Sequence, residues 1–347
     1  MNVKSVILKG GRWLERKIDQ QRRNYIISKK LEDFKSKKLL IPIESYAKSS
    51  NDVSEYWTGH TVHDDWFISE EESLSYRESI WDMYPYYRKF ADMDRRHDGE
   101  TLLDYGCGPG NDLTWYTQKT NPRMIIGIDV SRTVLENAQF RMALHGVSKE
   151  QCRLVQISET EAKIPLNDGQ VDFISCQGVL MHTSYPDKIL KEFHRVLNTG
   201  KDNNNACIMV YNRESIWYHL YAAYYLKYVN PMLIKCTLDE TRTMDVDEIF
   251  RRSTDGSGCP LAWCWSPEVF MKMCKEAGFS KVEYQGGYAN TLEPELAKKY
   301  IAEALEDERL EEEHKVFLRE VRFDENGFPI NGESVSCCIG GVYRLWK

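Results

Sequence analysis

The stretch Thr101-Leu-Leu-Asp-Tyr-Gly-Cys-Gly-Pro-Gly-Asn-Asp112 constrains the fold of this chain more than any other. A short apolar run (Leu102, Leu103) ends at Asp104, turns through Gly106, Gly108 and Gly110, and enters a helix that Asp112 opens. Glycine at alternate positions allows positive φ and removes the Cβ atoms that would hold a ligand away from the backbone amides. A second run, Met124-Ile-Ile-Gly-Ile-Asp129, ends in a carboxylate about 20 residues after the turn, where an acidic side chain can accept both hydroxyls of a ribose. A dinucleotide fingerprint would space its glycines as G-x-G-x-x-G, so the alternating pattern with Pro109 argues against NAD.

Downstream, strands and helices alternate. Ser131 caps a helix carrying Val134, Leu135, Ala138 and Met142 that stops near Gly146, and strands are expected at Cys152–Ile157, Val171–Ser175 and Cys207–Tyr211. A helix from about Asp187 to Leu197 is ended by Gly200, and the last strand is expected over Cys338–Trp346. Such alternation predicts an α/β fold, a doubly wound and mostly parallel sheet with ligands at the carboxyl ends of its strands.

The series LLDYGCGPGND, IIGIDVS, a strand followed by Ser158-Glu159 and Ile164-Pro165-Leu166, VDFISCQGVLMHTSYP and ILKEFHRVL resembles the class I S-adenosylmethionine (SAM)-dependent methyltransferases from Leu102 through Leu197. The resemblance implies a Rossmann-like, seven-stranded sheet with SAM as cofactor. Asp104 and the amides around Gly106 and Gly108 would face its methionine end, with Gly110 and Asp112 completing that loop. Asp129 would take the ribose, Ser158 and Glu159 the adenine, and Gln177 would lie near the methyl group. Relatives often carry two histidines after G-V-L. Here the first is Met181, leaving only His182 to act. Residues 211–265 resemble a subfamily found among bacterial surface-polysaccharide and secondary-metabolite genes.

Five segments follow: a basic arm (1–45), an aromatic lid and helix (46–100), the cofactor core (101–211), an acceptor-lid insertion (212–265), and a C-terminal part with a charged helix (266–347). Residues 1–40 hold twelve Lys/Arg against four Asp/Glu, which is +8 and leaves −15 for the rest. An acidic body disfavours a nucleic-acid substrate. The arm is expected as a helix from about Trp13 to Lys38, broken from a short apolar leader at Gly10-Gly11. It either packs on its own domain or docks on an anionic membrane or partner. No apolar run reaches 18 residues and no secretory leader is evident, so a cytoplasmic location is expected, with peripheral association at the inner face of the membrane left open. The ten cysteines show no C-x-x-C pair, and the spacing of Cys259/Cys264 and Cys337/Cys338 suits neither zinc nor a disulfide framework.

Methyl transfer from a sulfonium needs no metal. It needs a nucleophile held in line and, for an alcohol, a proton acceptor. His182, Asp255, His219 and Tyr211 are the alternative candidates for that base. Tyr56, Trp57, His60, Asn212, Trp217 and Tyr221 are expected to line a lid over a sugar, glycan or other polar small molecule. The expectation is therefore O-methylation in polysaccharide or natural-product biosynthesis. A protein or RNA methyltransferase, or a SAM-binding scaffold without turnover, are the alternatives.

Overall fold

The structure is a computed structural model describing residues 3–200, 204–332 and 335–347, with side chains described from residue 19 onward. Helix α1 (Val3–Ser36) leads to strand β1 (Ile43–Ser45) and helices α2 (Asp52–Gly59), α3 (Glu70–Met83) and α4 (Tyr87–Phe90). The core runs β2 (Thr101–Tyr105), α5 (Asn111–Lys119), β3 (Met124–Asp129), α6 (Arg132–Leu144), β4 (Cys152–Gln156), β5 (Phe173–Gln177), α7 (Pro186–Val196) and β6 (Asn205–Asn212). A π-helix (Trp217–Val229), α8 (Leu238–Thr243), α9 (Val246–Thr254) and β7 (Cys264–Trp265) form the insertion. The chain closes with α10 (Pro267–Glu276), β8 (Lys281–Tyr288), α11 (Glu293–Glu306), α12 (Glu312–Glu320), the small hairpin β9 (Arg322–Phe323) and β10 (Pro329–Ile330), and β11 (Gly340–Trp346).

The sheet order is β1-β4-β3-β2-β5-β6-β11-β8, with β7 paired to β6. Strands β1 to β7 are parallel, whereas β11 inserts antiparallel between β6 and β8. Seven of these strands form the expected doubly wound sheet, and the short β1 and β7 extend it to nine. The parallel strands are apolar on both faces because both are covered: Leu103 packs toward α7 and α10, and its neighbour Leu102 toward α5 and α6. Chain order reverses about β2, with β3 on one side and β5 on the other. The crevice this leaves at their carboxyl ends is where an α/β sheet binds ligands.

The local signals hold where they are chemical. Ser131 and Ser266 cap α6 and α10 by accepting the amides of Val134 and Val269, each at 3.4 Å. Four expectations are corrected. Gly10-Gly11 does not break α1, which runs unbroken from Val3. The segment 46–70 contains a capped helix, α2, started by Asn51 and Ser54 in a reciprocal capping box. The single helix expected within segment 46–100 covers only Glu70–Met83, and Tyr86 (φ 72°) turns the chain before α4. The charged helix expected within segment 266–347 is two helices, α11 and α12.

From Arg23 onward α1 lies on the body. Arg23 pairs with Glu72 at 2.6 Å, and Ile27, Leu31 and Phe34 pack against Phe67, Phe140 and Leu144. That half of the arm is a packed structural element. Among the described residues no helix is long and apolar enough to cross a membrane.

Candidate active site

The glycine turn sits between β2 and α5 with φ of 77°, 53° and 83° at Gly106, Gly108 and Gly110. The amides of Gly106 and Cys107 donate to the Ile128 carbonyl at 2.8 and 2.9 Å, which ties the turn to β3. Asp129, at the end of β3, accepts the Gly108 amide at 3.0 Å through one oxygen and the Ser131 amide at 2.9 Å through the other. Burial pushes its carboxyl above the usual range in spite of these bonds. The glycines differ in their surroundings. A Cβ on Gly106 would lie 2.2 Å from a methyl of Val179 and one on Gly110 3.3 Å from Ala138, whereas one on Gly108 would meet no atom within 4 Å. The space over Gly108 is open.

Beside it lie buried polar atoms without partners. Asp104 is 5% exposed, and its Oδ2 makes no hydrogen bond. Burial, and then the charges of Asp112 and Asp129, raise its carboxyl well above the ordinary value. Arg77 of α3 is wholly buried. Its Nη2 pairs with Asp112 Oδ1 at 2.6 Å and its guanidinium stacks on Trp81 and Tyr87, while Nε and Nη1 find no acceptor. Asp112 also accepts the Tyr87 hydroxyl at 2.9 Å, so both its oxygens are engaged by residues that precede the turn. An unpaired carboxylate oxygen and guanidinium N–H groups without an acceptor are each costly to bury. Together they match a ligand carrying an ammonium and a carboxylate, as the amino-acid end of SAM does. Gln177 at the end of β5 donates to the Cys207 carbonyl at 2.9 Å and leaves its buried Oε1 unpartnered. The residues present fit the cofactor, and Arg77, hidden in an ordinary helical pattern, is a candidate that the sequence did not reveal.

Ser158 and Glu159 follow β4 as expected, but their side chains are committed to the protein. Ser158 donates to the Ser49 carbonyl at 3.1 Å. Glu159 accepts the Asn51 side-chain amide and, at 2.5 Å, the Ser184 amide. They hold the start of α2 across the end of β4, so only their backbone is free to meet an adenine.

Three segments remote in sequence converge at His182, in the turn after β5. Its Nδ1 lies 2.7 Å from the Leu261 carbonyl, so Nδ1 carries a proton there and Nε2 is the nitrogen turned to the other side. That Nε2 faces Asp255 Oδ2 at 3.6 Å. Tyr211, at the end of β6, donates its hydroxyl to both Asp255 oxygens at 2.9 Å. Trp57 of α2 packs tilted against the His182 ring at 4.6 Å, and Tyr56 donates its hydroxyl to the Asp255 carbonyl. The Tyr56 ring sits over the glycine turn that follows, where a Cβ at Gly256 or Gly258 would come within 3.4 Å of it. Burial, then Asp255, push the Tyr211 phenol far above 10, so this hydroxyl remains a donor and is not the base.

Other expected pocket residues lie elsewhere. His219 pairs with His314 of α12 at 2.9 Å and stacks on Phe317. Trp217 donates to Ser253 at 3.0 Å and packs on Tyr221 within the π-helix cluster. Asn212 is buried and bonds Glu214, Tyr284 and Cys338. His60 stacks on Tyr56 at 4.0 Å from outside. The reason is common to the first two: the π-helix buries its aromatic side against α9, α11 and α12, away from the crevice.

Residues 96–204 match the family model of a methyltransferase domain. Over 104 residues the chain is 36% identical to a 37.1 kDa protein in transposon TN4556 of Streptomyces fradiae, covering 29% of this chain and 28% of that protein. Over 187 residues it is 27% identical to the probable methyltransferase ltbC of Aspergillus luteorubrus, covering 51% and 56%. The chain thus spans at most 56% of the length of these curated relatives. Among solved structures, it is similar to the YcgJ protein of Bacillus subtilis (14% identity, 80% of this chain and 99% of that one, TM-score 0.43). A SAM-dependent methyltransferase of Aquifex aeolicus is similar at 16% identity, 79% and 98% coverage and a TM-score of 0.40. At such identities and scores the fold assignment stands on the strand order itself.

Proposed function

We propose that this chain is a class I SAM-dependent methyltransferase that O-methylates a hydroxyl of a sugar, glycan or similarly polar small molecule, a reading supported by the match of residues 96–204 to the methyltransferase-domain model. When bound, SAM supplies an electrophilic methyl group on a sulfonium. The protein's own residues do the rest. Asp104 accepts the ammonium, Arg77 pairs with the carboxylate, and Asp129 takes the ribose hydroxyls. Gln177 turns its free Oε1 toward the reacting end. Trp57 and Tyr56 close the acceptor side against water. His182 and Asp255 would receive the acceptor's hydroxyl and take its proton, and Tyr211 holds the Asp255 carboxylate in place.

The observation that carries this reading is the meeting of α2, the turn after β5 and the loop after α9 on one His–Asp pair beside the cofactor crevice. A polar acceptor suits it, since each polar group left unpaired on burial costs about 1–3 kcal/mol. The test is release of S-adenosylhomocysteine across nucleotide sugars, oligosaccharides, phenols, amines, thiols and carboxylates. Turnover confined to hydroxyls, with His182→Ala and Asp255→Ala lowering it by about 10²–10⁴ while SAM still binds, is the expected result. Turnover confined to an amine or thiol overturns the assignment.

A further inference from the structure

Cys259 completes the cluster around His182. Its side chain is fully buried, and its Sγ lies 4.0 Å from His182 Nδ1 and donates to the same Leu261 carbonyl at 3.1 Å. One ligand atom each from His182, Asp255 and Cys259 fall within 4.8 Å of one another. We propose that these three residues form a binding site for zinc, with a fourth position left to water.

Three observations carry this. First, His182 Nε2 and Asp255 Oδ2 stand 3.6 Å apart, too far for a good hydrogen bond. That separation is close to the ligand-to-ligand edge of about 3.3 Å that a tetrahedral ion with bonds of about 2.0 Å would make. Second, the outer contacts are those that orient metal ligands. The His182 Nδ1–H points at a backbone carbonyl, which leaves Nε2 as the donor atom, and the Asp255 carboxylate is held by the Tyr211 hydroxyl. Third, the donor set is selective. Imidazole with thiolate suits zinc and excludes magnesium and calcium, which take oxygen ligands. The loop supplies Asp255 and Cys259 four residues apart across Gly256-Ser257-Gly258, and the Cys259 amide is tied back to the Gly256 carbonyl at 3.1 Å. Asp255 is the most exposed of the three ligands, with a side chain 10% exposed.

Binding converts the thiol to a zinc-bound thiolate and releases one proton to water, with no change of oxidation state. The ion occupies the same lone pairs that receive the acceptor's hydroxyl, so zinc and acceptor compete. This last consequence rests on the proposed function, whereas the binding does not.

The experiment uses the full-length protein stripped with chelator, without SAM or acceptor, titrated with Co²⁺ as a spectroscopic probe and then with Zn²⁺. One equivalent of Co²⁺ with a thiolate-to-cobalt charge-transfer band, displaced by Zn²⁺, is the expected result. Cys259→Ser loses the band and weakens zinc by at least tenfold, while Cys274→Ser, remote on α10, keeps both. Asp255→Asn serves as a second variant and also weakens zinc by at least tenfold. No stoichiometric binding, or a charge-transfer band that persists in Cys259→Ser, overturns the site. A failed methyl-transfer assay with intact cobalt binding would instead overturn the function and leave the site standing.

Discussion

The alternating glycines offer a test in which stability and cofactor binding separate. Alanine at Gly108 adopts a left-handed φ of 53°, which costs an L-residue about 1–2 kcal/mol, and its Cβ meets nothing within 4 Å. The variant should melt within a few degrees of the wild type. Its methyl group nevertheless enters the open space over the turn, where the cofactor lies in the proposed mode, and SAM affinity should fall at least tenfold, or about 1.4 kcal/mol. Gly106→Ala is the contrast. Its φ of 77° carries the same backbone cost, and its Cβ falls 2.2, 2.7 and 2.9 Å from Cγ2, Cγ1 and Cβ of Val179. Overpacking adds about 1–3 kcal/mol, for a total near 2–5 kcal/mol. Adding Val179→Ala removes the two Cγ contacts and leaves the third, so it should rescue only in part. Thermal denaturation and calorimetry with S-adenosylhomocysteine read both quantities. Wild-type affinity in Gly108→Ala would show that the cofactor does not occupy that space. Equal stability of the two variants would show that the Val179 contact is relieved by a small backbone shift.

Arg77→Met should lower affinity for S-adenosylhomocysteine at least tenfold but leave 5′-methylthioadenosine, which has no amino-acid end, nearly unaffected. Equal losses by calorimetry would move Arg77 out of the cofactor site. Asp129→Ala should weaken both ligands, because both carry the ribose. His219 is held down to about 3 by burial and then by His314 and Arg213, so the folded chain refuses a proton that the unfolded imidazole accepts below about pH 6.5. Stability therefore falls as pH drops from 6.5 toward 3, by at most about 1.4 kcal/mol per unit for this group. The urea midpoint should be lower at pH 5 than at pH 7, and His219→Phe should flatten the difference. The basic arm is proposed to dock on anionic surfaces through its first half. Removing residues 1–18 should abolish co-sedimentation with anionic vesicles while the melting temperature stays unchanged, and equal sedimentation of both forms would refute it.

The sheet and the cofactor floor were legible in the sequence because their signals are local. Two leucines and an aspartate before alternating glycines specify a strand, a tight turn and a helix within a dozen residues. A carboxylate at the end of the next strand adjoins that turn in any parallel pairing of the two, as Asp129 does through the Gly108 amide. Caps at Ser131 and Ser266 are equally local. The pair His182 and Asp255 stood among the candidates because each lies where a strand or helix ends beside the crevice, but nothing within a dozen residues of either says that they meet.

Only the tertiary structure decided that they do, since the contact depends on β6 lying beside β5 and on the insertion folding back over both. The same dependence separates His219 from the site. Its neighbours in sequence are those of a lid, yet the π-helix turns its buried side toward α12, and the histidine ends on His314. Arg77 and Cys259 were invisible for the complementary reason. One sits in an amphipathic helix pattern and the other in a turn, and neither spacing carries a ligand signal. Each acquires its meaning from what chain topology brings to it: unpaired Asp104 and engaged Asp112 around the guanidinium, His182 and Asp255 around the thiol. Backbone turns and side-chain periodicity are properties of neighbours in sequence, whereas a site is made by residues whose separation in sequence is closed by burying a common core.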